Sequence, residues 1–429
     1  MCLSTSIKND EETGNISPGI SSGVESIAAS VGRIGGRHLA ESPMQTVILT
    51  TFNQARRPIS TVVTDGSNTH IYDLYKPNTG RKIHDIKTDM QAVRELFAGG
   101  GKIVVNDFLH HFQAYGLNVS DLGDQIHDVQ IGDVEPDRLT KLASRLMLYK
   151  PRIFDKLLAD VSVVYADLSE RGLFYNYGKV KVDWSVDTFT KRSKSLNFNI
   201  QGFTDEAHIR TPYAGEQDIL VCFDWMAADI RAVAAMSGDQ VLSKSFLESD
   251  PYSFLQTAIG GDITRDECKL LLLKAINSLD YKDGVVRDIY PALCEWLKTQ
   301  DELLAQDGGI SSLLGRKFNM SKTRSKLSAL NGVIQGTVAH AMHSTLRKIW
   351  DHYPHRLIGE IHDSVILNCP PVKSEMWKMI KDVTALMVRP FDGMLGEELI
   401  FPVRISIGNR WKNWKHIYSC RGGKIVSET

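Results

Sequence analysis

Hydrophobic and polar positions in the first third of the chain follow the patterns of strands and helices. The runs MQTVILTTF, PISTVVTDG and NTHIYDLY are rich in β-branched residues, and GKIVVND has the same character. The segments DMQAVRELFAGGG and FLHHFQAYG have helical spacing. Strands that alternate with helices predict an α/β domain over residues 41–150.

The remaining pattern predicts a mixed second half. RIFDKLLADVSVVYADLSERG reads as a helix that ends at Gly172, within a connector at 151–202. In the domain predicted at 203–429, the strand DILVCFD runs into the helix MAADIRAVAAMSG, and residues 240–330 are mostly helical. A helix at about 324–351, the hairpin RLIGEIHDSVILNCP, a helix at 372–388 and the strand FPVRISIG follow. Residues 1–40, rich in Ser, Gly, Asn and Glu, predict a mobile tail.

Composition narrows the class of protein only a little. The 429 residues suffice for two or three domains, and the net charge of −1 neither indicates nor excludes a nucleic-acid partner. No two of the six cysteines have zinc-ligand spacing, which favours buried thiols in a reducing compartment. Without an apolar stretch of membrane-spanning length or a secretion signal, we expect a cytoplasmic protein with no membrane partner.

Two aspartates stand in apolar surroundings. Asp224 follows LVCF where a strand becomes a helix, and Asp363 lies in the strand-like EIHDSVIL. Because a carboxylate in such a setting carries a desolvation cost, each needs a partner. On adjacent strands the pair could hold two divalent cations. A turn or cap role explains either acid alone, so the case for a metal site depends on the surrounding motifs.

The motifs occur in a definite order: TKRSKSLNFNIQG, FDWMAADIRAVAAMSGD, TRDECKLLLLKAINSLDYKDG, SSLLGRKF, NGVIQGTVAHAM and EIHDSVIL. With the closing FPVRISIGNRWKNW they resemble, in order, spacing and chemistry, the polymerase domain of the family A (polymerase-I-like) DNA polymerases over about residues 185–415. The resemblance implies an α+β right hand: a palm with an antiparallel sheet, helical fingers inserted at about 240–330, and a reduced thumb in the connector.

The resemblance also implies roles for individual side chains. Asp224 and Asp363 are the expected catalytic metal ligands for two Mg²⁺ ions. The expected contacts to the incoming dNTP are Arg265, Lys269, Asp229 and Asn277. The expected contacts to the primer–template nucleic acid, most simply DNA, are Thr190, Arg192, Asn197, Arg231, Arg316, Asn331, Gln335 and His362.

Several positions depart from the family pattern. Asp229 replaces the Glu that limits entry of a ribose 2′-hydroxyl, which puts sugar discrimination in doubt. Ser364 replaces the Glu of the His-Asp-Glu motif. The family's fingers Tyr falls on Asn277, and an alternative register uses Lys274 and Tyr281.

Two regions of the family architecture are altered. About twenty residues between Gly172 and Thr190 are too few for a helical thumb, which predicts low processivity unless a replication partner supplies a clamp. The first domain faintly resembles an RNase-H-like 3′–5′ exonuclease, yet Thr50, Thr51 and Phe52 stand where its first acids belong. Asp107 and Asp128 remain, but two acids without that first pair make a poor two-metal site, so we expect no proofreading. An unrelated α/β domain is the alternative.

Three functions stay open at this point. The leading hypothesis is DNA-templated DNA synthesis from a primer 3′-hydroxyl. The altered residues Asp229 and Asn277 also allow an RNA polymerase or primase-like enzyme that uses NTPs. A nucleic-acid-binding scaffold without activity is the third, although the retention of both Asp224 and Asp363 argues against it. The small size and altered first domain suggest a bacterial, phage or plasmid context.

Overall fold

The structure is a computed structural model, and its described residues lie between Gln45 and Glu428. They are residues 45–52, 58–65, 67–74, 83–98, 102–106, 108–115, 117, 126–129, 138–139, 142–143, 146, 152–175, 178–186, 188–202, 218–248, 250–306, 308–320, 325–392, 394, 399–411, 413–421 and 424–428. The predicted tail at 1–40 and Asp107 therefore lie outside them. Residues 43–429 form one compact unit, to which every described residue belongs.

The first part of this unit is a five-stranded sheet with the order β3-β2-β1-β4-β5. Strand β1 pairs antiparallel with β2 and parallel with β4. Val47, Ile48 and Leu49 on β1 are all fully buried, which means that both faces of the sheet are covered. The elements are β1 Gln45–Phe52, β2 Pro58–Thr64, β3 Thr69–Asp73, α1 Ile83–Ala98, β4 Lys102–Val105, α2 Phe108–Tyr115 and β5 Ile126–Asp128. Strands and helices thus alternate as the sequence predicts.

The connector begins with a long buried helix, α3 Ile153–Arg171, which packs against the sequence-distant helix at Lys326–His352. It ends at Gly172, whose φ of +62° and closeness to the Val180 carbonyl exclude a side chain. Short hairpin strands follow: β6 Leu173–Tyr175, β7 Gly178–Val180, β8 Trp184–Ser185 and β9 Lys194–Ser195. A 3₁₀ turn at Ile200–Gly202 comes next. Among the described residues from 172 to 218 there is no α-helix.

The C-terminal half contains an antiparallel sheet and a helical region. In chain order its elements are β10 Ile219–Trp225, α4 Ala228–Ser237, α5 Gln240–Glu248, α6 Pro251–Ile259, α7 Arg265–Asn277, α8 Gly284–Ile289, α9 Pro291–Ala305, β11 Ile310–Ser311, β12 Lys317–Phe318, α10 Lys326–His352, β13 Leu357–Ile361, β14 Ser364–Cys369, α11 Lys373–Val388, β15 Val403–Arg410, β16 Asn413–Arg421 and β17 Lys424–Ser427. The sheet, called the central sheet below, has the order β13-β14-β10-β15-β16-β17.

One face of the central sheet is covered by helices. Phe223 and Trp225 of β10 are buried there, in a core that includes residues of α10 and α11. The helices between β10 and α10 have a hydrophobic core of their own, centred on residues such as Leu272 and Leu293. The sequence prediction that residues 240–330 are mostly helical is confirmed. Strands β16 and β17 were not predicted, and they widen the central sheet beyond the expected terminal strand.

Local sequence accounts for where the helices begin. Asp250 caps α6 through the backbone N–H groups of Tyr252 and Ser253, and Pro251 occupies its first position. Thr264 and Glu267 form a reciprocal capping box at α7.

All five described cysteines are buried and none forms a disulfide. No described helix combines the length and apolar character needed to cross a bilayer.

Two glycines on one face of α10 allow distant segments to meet. A Cβ at Gly332 would lie 2.6 Å from ring atoms of both Phe189 and Phe318, and one at Gly336 would lie 3.2 Å from Phe318. Thr337 strengthens the same junction, because its hydroxyl accepts a hydrogen bond from the Leu313 N–H at 3.1 Å. These close approaches bring the segments around residues 189, 316 and 331 together.

The Gly332→Ala substitution should therefore destabilise the protein, although alanine normally favours a helix. The added methyl group overlaps two rings, and we expect the free energy of unfolding to fall by about 1–3 kcal/mol. Urea denaturation measures this. Gly284→Ala is the matched control, since no atom lies within 4 Å of the added Cβ. Equal stability of both variants would contradict the packing argument.

Candidate active site

Asp224 lies on the face of the central sheet that is opposite the helices. Side chains alternate along β10, so Phe223 and Trp225 point into the helix-covered core and Asp224 points away from it. Directly opposite Asp224 stand Ser364 on β14 and Arg404 on β15. Asp224 is only partly buried. The alternation thus places this carboxylate where a ligand can reach it.

Asp363 lies at the same end of the sheet, in the tight turn between β13 and β14. Its carbonyl accepts a hydrogen bond from the Trp225 N–H at 3.1 Å, next to Asp224. His362 in this turn is exposed and has a φ of +60°, a conformation rare for a non-glycine residue. The structure therefore brings the two predicted metal ligands together from distant parts of the chain.

Arg192 supplies positive charge at this position. Its Nη2 donates a hydrogen bond to Oδ1 of Asp229 at 2.8 Å, while its Nε has no hydrogen-bond partner among the described residues. Burial raises the pKa of Asp229, and Arg192 opposes that rise. Burial likewise raises the pKa of Asp363, with Arg192 lowering it and the negative charge of Asp229 adding to it. Both acids therefore lie in one electrostatic environment with Arg192.

A third carboxylate, Glu360 on β13, is buried beside this group and was not found by sequence reasoning. Its side chain accepts hydrogen bonds from the hydroxyl groups of Tyr165 and Ser193, the latter at 2.7 Å. Burial raises its pKa to about 7, and the charge of Asp363 contributes to the rise. An acid within the otherwise apolar stretch LIGEI was the available signal.

The predicted nucleotide-binding residues on α7 are only partly brought together. Arg265 forms an ion pair with Asp250 at 3.2 Å, and its guanidinium lies 5.1 Å from the ring centre of Tyr252. The amine of Lys269 is 6.0 Å from the same ring. Asn277 ends the helix, about 18 Å along its axis from Arg265 at 1.5 Å per residue. The structure therefore does not place Asn277 with the two cations.

Tyr252 lies within electrostatic reach of both Arg265 on α7 and Asp229. Burial raises its pKa to about 12; Arg265 lowers it, whereas Asp250 and Asp229 contribute to the rise. Asp229 is thus close enough to act on the Tyr252 hydroxyl electrostatically. Sequence reasoning missed Tyr252, because its position depends on how α6 packs against α7.

The predicted primer–template residues fall into two groups. Asn331 and Gln335 are partly exposed and lie one turn apart on α10, near Thr190, whose carbonyl is 3.7 Å from the Cβ position of Gly336. Arg316 donates through Nη2 to the Phe189 carbonyl at 2.7 Å. These residues and His362 are available for a ligand at their exposed atoms.

Asn197 and Arg231 have structural contacts instead. The Asn197 side chain accepts a hydrogen bond from the Asp183 N–H at 2.8 Å and donates to the Lys181 carbonyl at 3.2 Å. Arg231 donates to the Ile400 carbonyl, its guanidinium lies 5.3 Å from the ring centre of Phe246, and burial lowers its pKa. Within the described part of the chain, no group of three or more His, Cys, Asp or Glu residues is arranged to hold a metal.

No protein-family model matches this chain, whereas comparisons with known proteins find similarities, among them the following two. The thermostable DNA polymerase I of Thermus thermophilus is 22% identical over 269 residues, which cover 53% of this chain and 32% of that protein. The chain thus spans about a third of the length of that relative.

The second is the solved POL domain of Pol1 from M. smegmatis, in complex with DNA primer-template and dNTP. It superposes with a TM-score of 0.55 at 12% identity, covering 86% of this chain and 96% of that one. The resemblance to the family A polymerases is confirmed by these two similarities, both of them distant. The fold is a mixed α+β fold that resembles a DNA polymerase domain.

The buried Glu360 should make stability depend on pH. Its pKa is about 7 in the folded protein against a normal value of 4.5, so the folded state retains a proton that the unfolded state loses as pH rises through this range. The free energy of unfolding should therefore fall by about 3 kcal/mol on its account. In Glu360→Gln this contribution should be absent. The free energy of unfolding of the variant, relative to that of the wild type, should therefore increase between about pH 4 and pH 8.

Urea unfolding of both proteins at several pH values measures the difference. Glu302→Gln, on the exposed side of α9, is the matched control and should follow the wild type. A constant difference between wild type and Glu360→Gln across the range would show that Glu360 has a normal pKa.

Proposed function

We propose that this chain is a template-directed DNA polymerase, in which a primer 3′-oxygen attacks the α-phosphate of a dNTP and pyrophosphate leaves. The observation that carries the proposal is the convergence of Asp224 and Asp363 at one end of the central sheet. The similarity to a DNA polymerase I and the shared fold with a polymerase domain support it. Primer–template and dNTP are accordingly the proposed ligands.

The acid pair suits magnesium. Mg²⁺ is typically held by one or two carboxylates together with substrate phosphates and waters, so Asp224 and Asp363 need no third protein ligand. The pKa of Asp363, raised by burial and further by Asp229, fits a site where a bound cation would relieve the crowding of negative charge. When bound, two Mg²⁺ ions would lower the pKa of the 3′-hydroxyl and stabilise charge on the phosphates.

The protein's own side chains orient the reactants. Arg192 is paired with Asp229 and follows Thr190 by two residues in the chain, and we assign it to the primer terminus. Asn331, Gln335 and His362 are proposed as further primer–template contacts, because they are exposed or partly exposed. Arg316 is assigned to the template.

Arg265 and Lys269 are the proposed triphosphate contacts. Both lie around the Tyr252 ring, and Asp229 is within electrostatic range of that ring. Arg265 is held by Asp250 in the present structure, so a triphosphate would compete with that carboxylate for the guanidinium. Asn277, at the far end of α7, is the proposed contact with the least support.

The N-terminal sheet is proposed to lack proofreading activity. Where an exonuclease of this family has acids, the Thr50 hydroxyl bonds to the Thr61 hydroxyl at 2.8 Å, and Thr61 bonds in turn to Tyr115. Asp128 accepts a hydrogen bond from the Phe108 N–H at 2.8 Å. The side chains of Thr50 and Thr61 on these strands are thus hydroxyl groups, which are poorer metal ligands than carboxylates. The short connector strands likewise support low processivity without a partner.

Asp363→Asn should abolish Mg²⁺-dependent primer extension, with a loss of at least about a hundredfold, because the neutral amide weakens cation binding at the reacting phosphate. Extension of a labelled primer measures activity, and a gel-shift assay checks that primer–template still binds. Asp288→Asn, an exposed aspartate on α8, is the control. Wild-type protein that binds primer–template but never extends it would instead support the inactive scaffold.

Asp229 favours a second candidate, a polymerase that accepts NTPs. Its carboxylate is one methylene shorter than glutamate and is drawn towards Arg192, which leaves room beside the incoming sugar. Asp229→Glu should then raise the preference for dNTP over NTP by at least about tenfold, as one methylene commonly does. Competitive incorporation of the two nucleotide sets measures the ratio.

The control for this experiment is Asp288→Glu, which lengthens an exposed side chain and should leave the ratio unchanged. An unaltered ratio in Asp229→Glu would remove Asp229 from sugar selection. If the wild type incorporates only NTPs, the proposed DNA synthesis is wrong and the enzyme is one that synthesises RNA.

A further inference from the structure

A cavity of about 310 Å³ lies where the start of α3 meets the segments around residues 190 and 317. Four of its lining residues are cations: Arg152, Lys191, Arg316 and Lys317. Asp155 is the single acid, and it forms an ion pair with Arg152 at 3.7 Å. The formal charge around the cavity is therefore +3, counting four cations and one anion. Such a cluster of like charges fits an anionic ligand.

Arg316 is the most constrained of these cations. Its Nη2 donates to the Phe189 carbonyl and its guanidinium lies 4.7 Å from the Phe318 ring centre, yet its buried Nη1 has no hydrogen-bond partner among the described residues. Burial, together with the smaller effect of the Arg152 charge, lowers its pKa to about 10. A buried donor without a partner is costly, and the positive charge of Arg316 beside the cavity favours an anion there.

The cavity also presents an aromatic surface. Phe154 is already covered, with the Arg152 guanidinium 4.2 Å from its centre and the His340 ring stacked 5.5 Å away. Phe189 is different, because 44% of its surface is exposed while its edge packs on Phe318 with ring centres 5.2 Å apart. An exposed aromatic ring among cations is the combination that binds unpaired bases by stacking.

The position of the cavity indicates which strand it would hold. Lys191, with a φ of +64°, lines the cavity, while the next residue, Arg192, pairs with Asp229 beside the candidate active site. A nucleotide in the cavity would thus lie close to the candidate active site. Under the proposed function, unpaired nucleotides next to that site are those of the template strand that has not yet been copied.

We infer that this cavity binds one nucleotide of the unpaired template strand, with its base on Phe189 and its phosphate among Arg152, Lys191, Arg316 and Lys317. The assignment of the strand rests on the proposed polymerase function. The chemistry recognised, an aromatic base with a phosphate, is shared with a free nucleotide, and the experiment separates these two sources.

The test compares the affinity of the full-length protein for a blunt duplex and for the same duplex with a 5′ overhang, by fluorescence anisotropy. For the wild type we expect tighter binding of the overhang duplex. Phe189→Ala should reduce this overhang-dependent gain about tenfold and leave blunt-duplex binding unchanged. Phe189→Leu, which preserves the apolar packing on Phe318, should show the same loss if stacking is the cause.

The charge contribution is tested by Arg152→Gln, which retains the backbone N–H that donates a hydrogen bond to Asp155. For this variant, the slope of log affinity for the overhang duplex against log salt concentration should become shallower by about 0.7. This is the value for one lost contact with a single-strand phosphate. Val426→Ala and Lys378→Gln, exposed residues far along the chain, are the matched controls for the apolar and charged substitutions.

An overhang-dependent gain that is unchanged in Phe189→Leu and Arg152→Gln would overturn the inference. Competition by dAMP with no gain from an overhang would also overturn it, in favour of a free nucleotide. Asp363→Asn should keep the full overhang-dependent gain. If the wild type fails to extend a primer but its overhang-dependent gain in affinity still depends on Phe189, the polymerase activity is refuted and the binding site is not.

Discussion

The hydrogen bond between the Trp225 N–H and the Asp363 carbonyl fixes the register on which the candidate site depends. A slip of one residue would turn Asp224 into the helix-covered core and expose Phe223 and Trp225. Trp225 resists such a slip strongly: it packs on Phe401 with ring centres 4.7 Å apart and donates through Nε1 to the Met387 carbonyl at 2.9 Å. Core packing of one aromatic residue thus positions the acid beside it.

The same register brings negative charge together at partly buried positions. Arg192 offsets this charge, and the raised pKa of Glu360 favours its neutral form. Glu360 lies on the helix-covered side, where Tyr165 from α3 and Ser193 both bond to it. These bonds link the connector to the strand that precedes Asp363. A protonated Glu360 adds no charge to the acid pair, so it can serve as a structural link while Asp363 stays available to a cation.

Much of this arrangement could be predicted from the sequence, because strand alternation and helical spacing are local properties. The strand before Asp224, the hairpin around Asp363 and the one-turn spacing of Arg265 and Lys269 all follow from such patterns. Strands β16 and β17 did not, since their alternation is weak and much of their surface is exposed.

Contacts between elements were beyond sequence reasoning for a different reason. Whether Glu360 is buried, or Tyr252 lies near Asp229, is decided by how whole helices pack on the sheet, and no short motif encodes that. For Arg231, the resemblance implied a nucleic-acid contact, and the structure adds contacts of its guanidinium with the Ile400 carbonyl and the Phe246 ring that no sequence pattern indicates.

Arg192 finally shows how sugar selection and primer contact depend on one another under the proposed function. A guanidinium carries five N–H donors in a rigid plane, and the bond to Asp229 uses one of them, at Nη2. A primer terminus could therefore engage Arg192 without breaking the ion pair. Because Asp229 is short, Arg192 lies close to it, and a change at Asp229 should therefore shift the guanidinium that we assign to the primer terminus. Substitutions at this position should then alter nucleotide choice and primer binding together, which would separate them from substitutions at Tyr252 or Arg265.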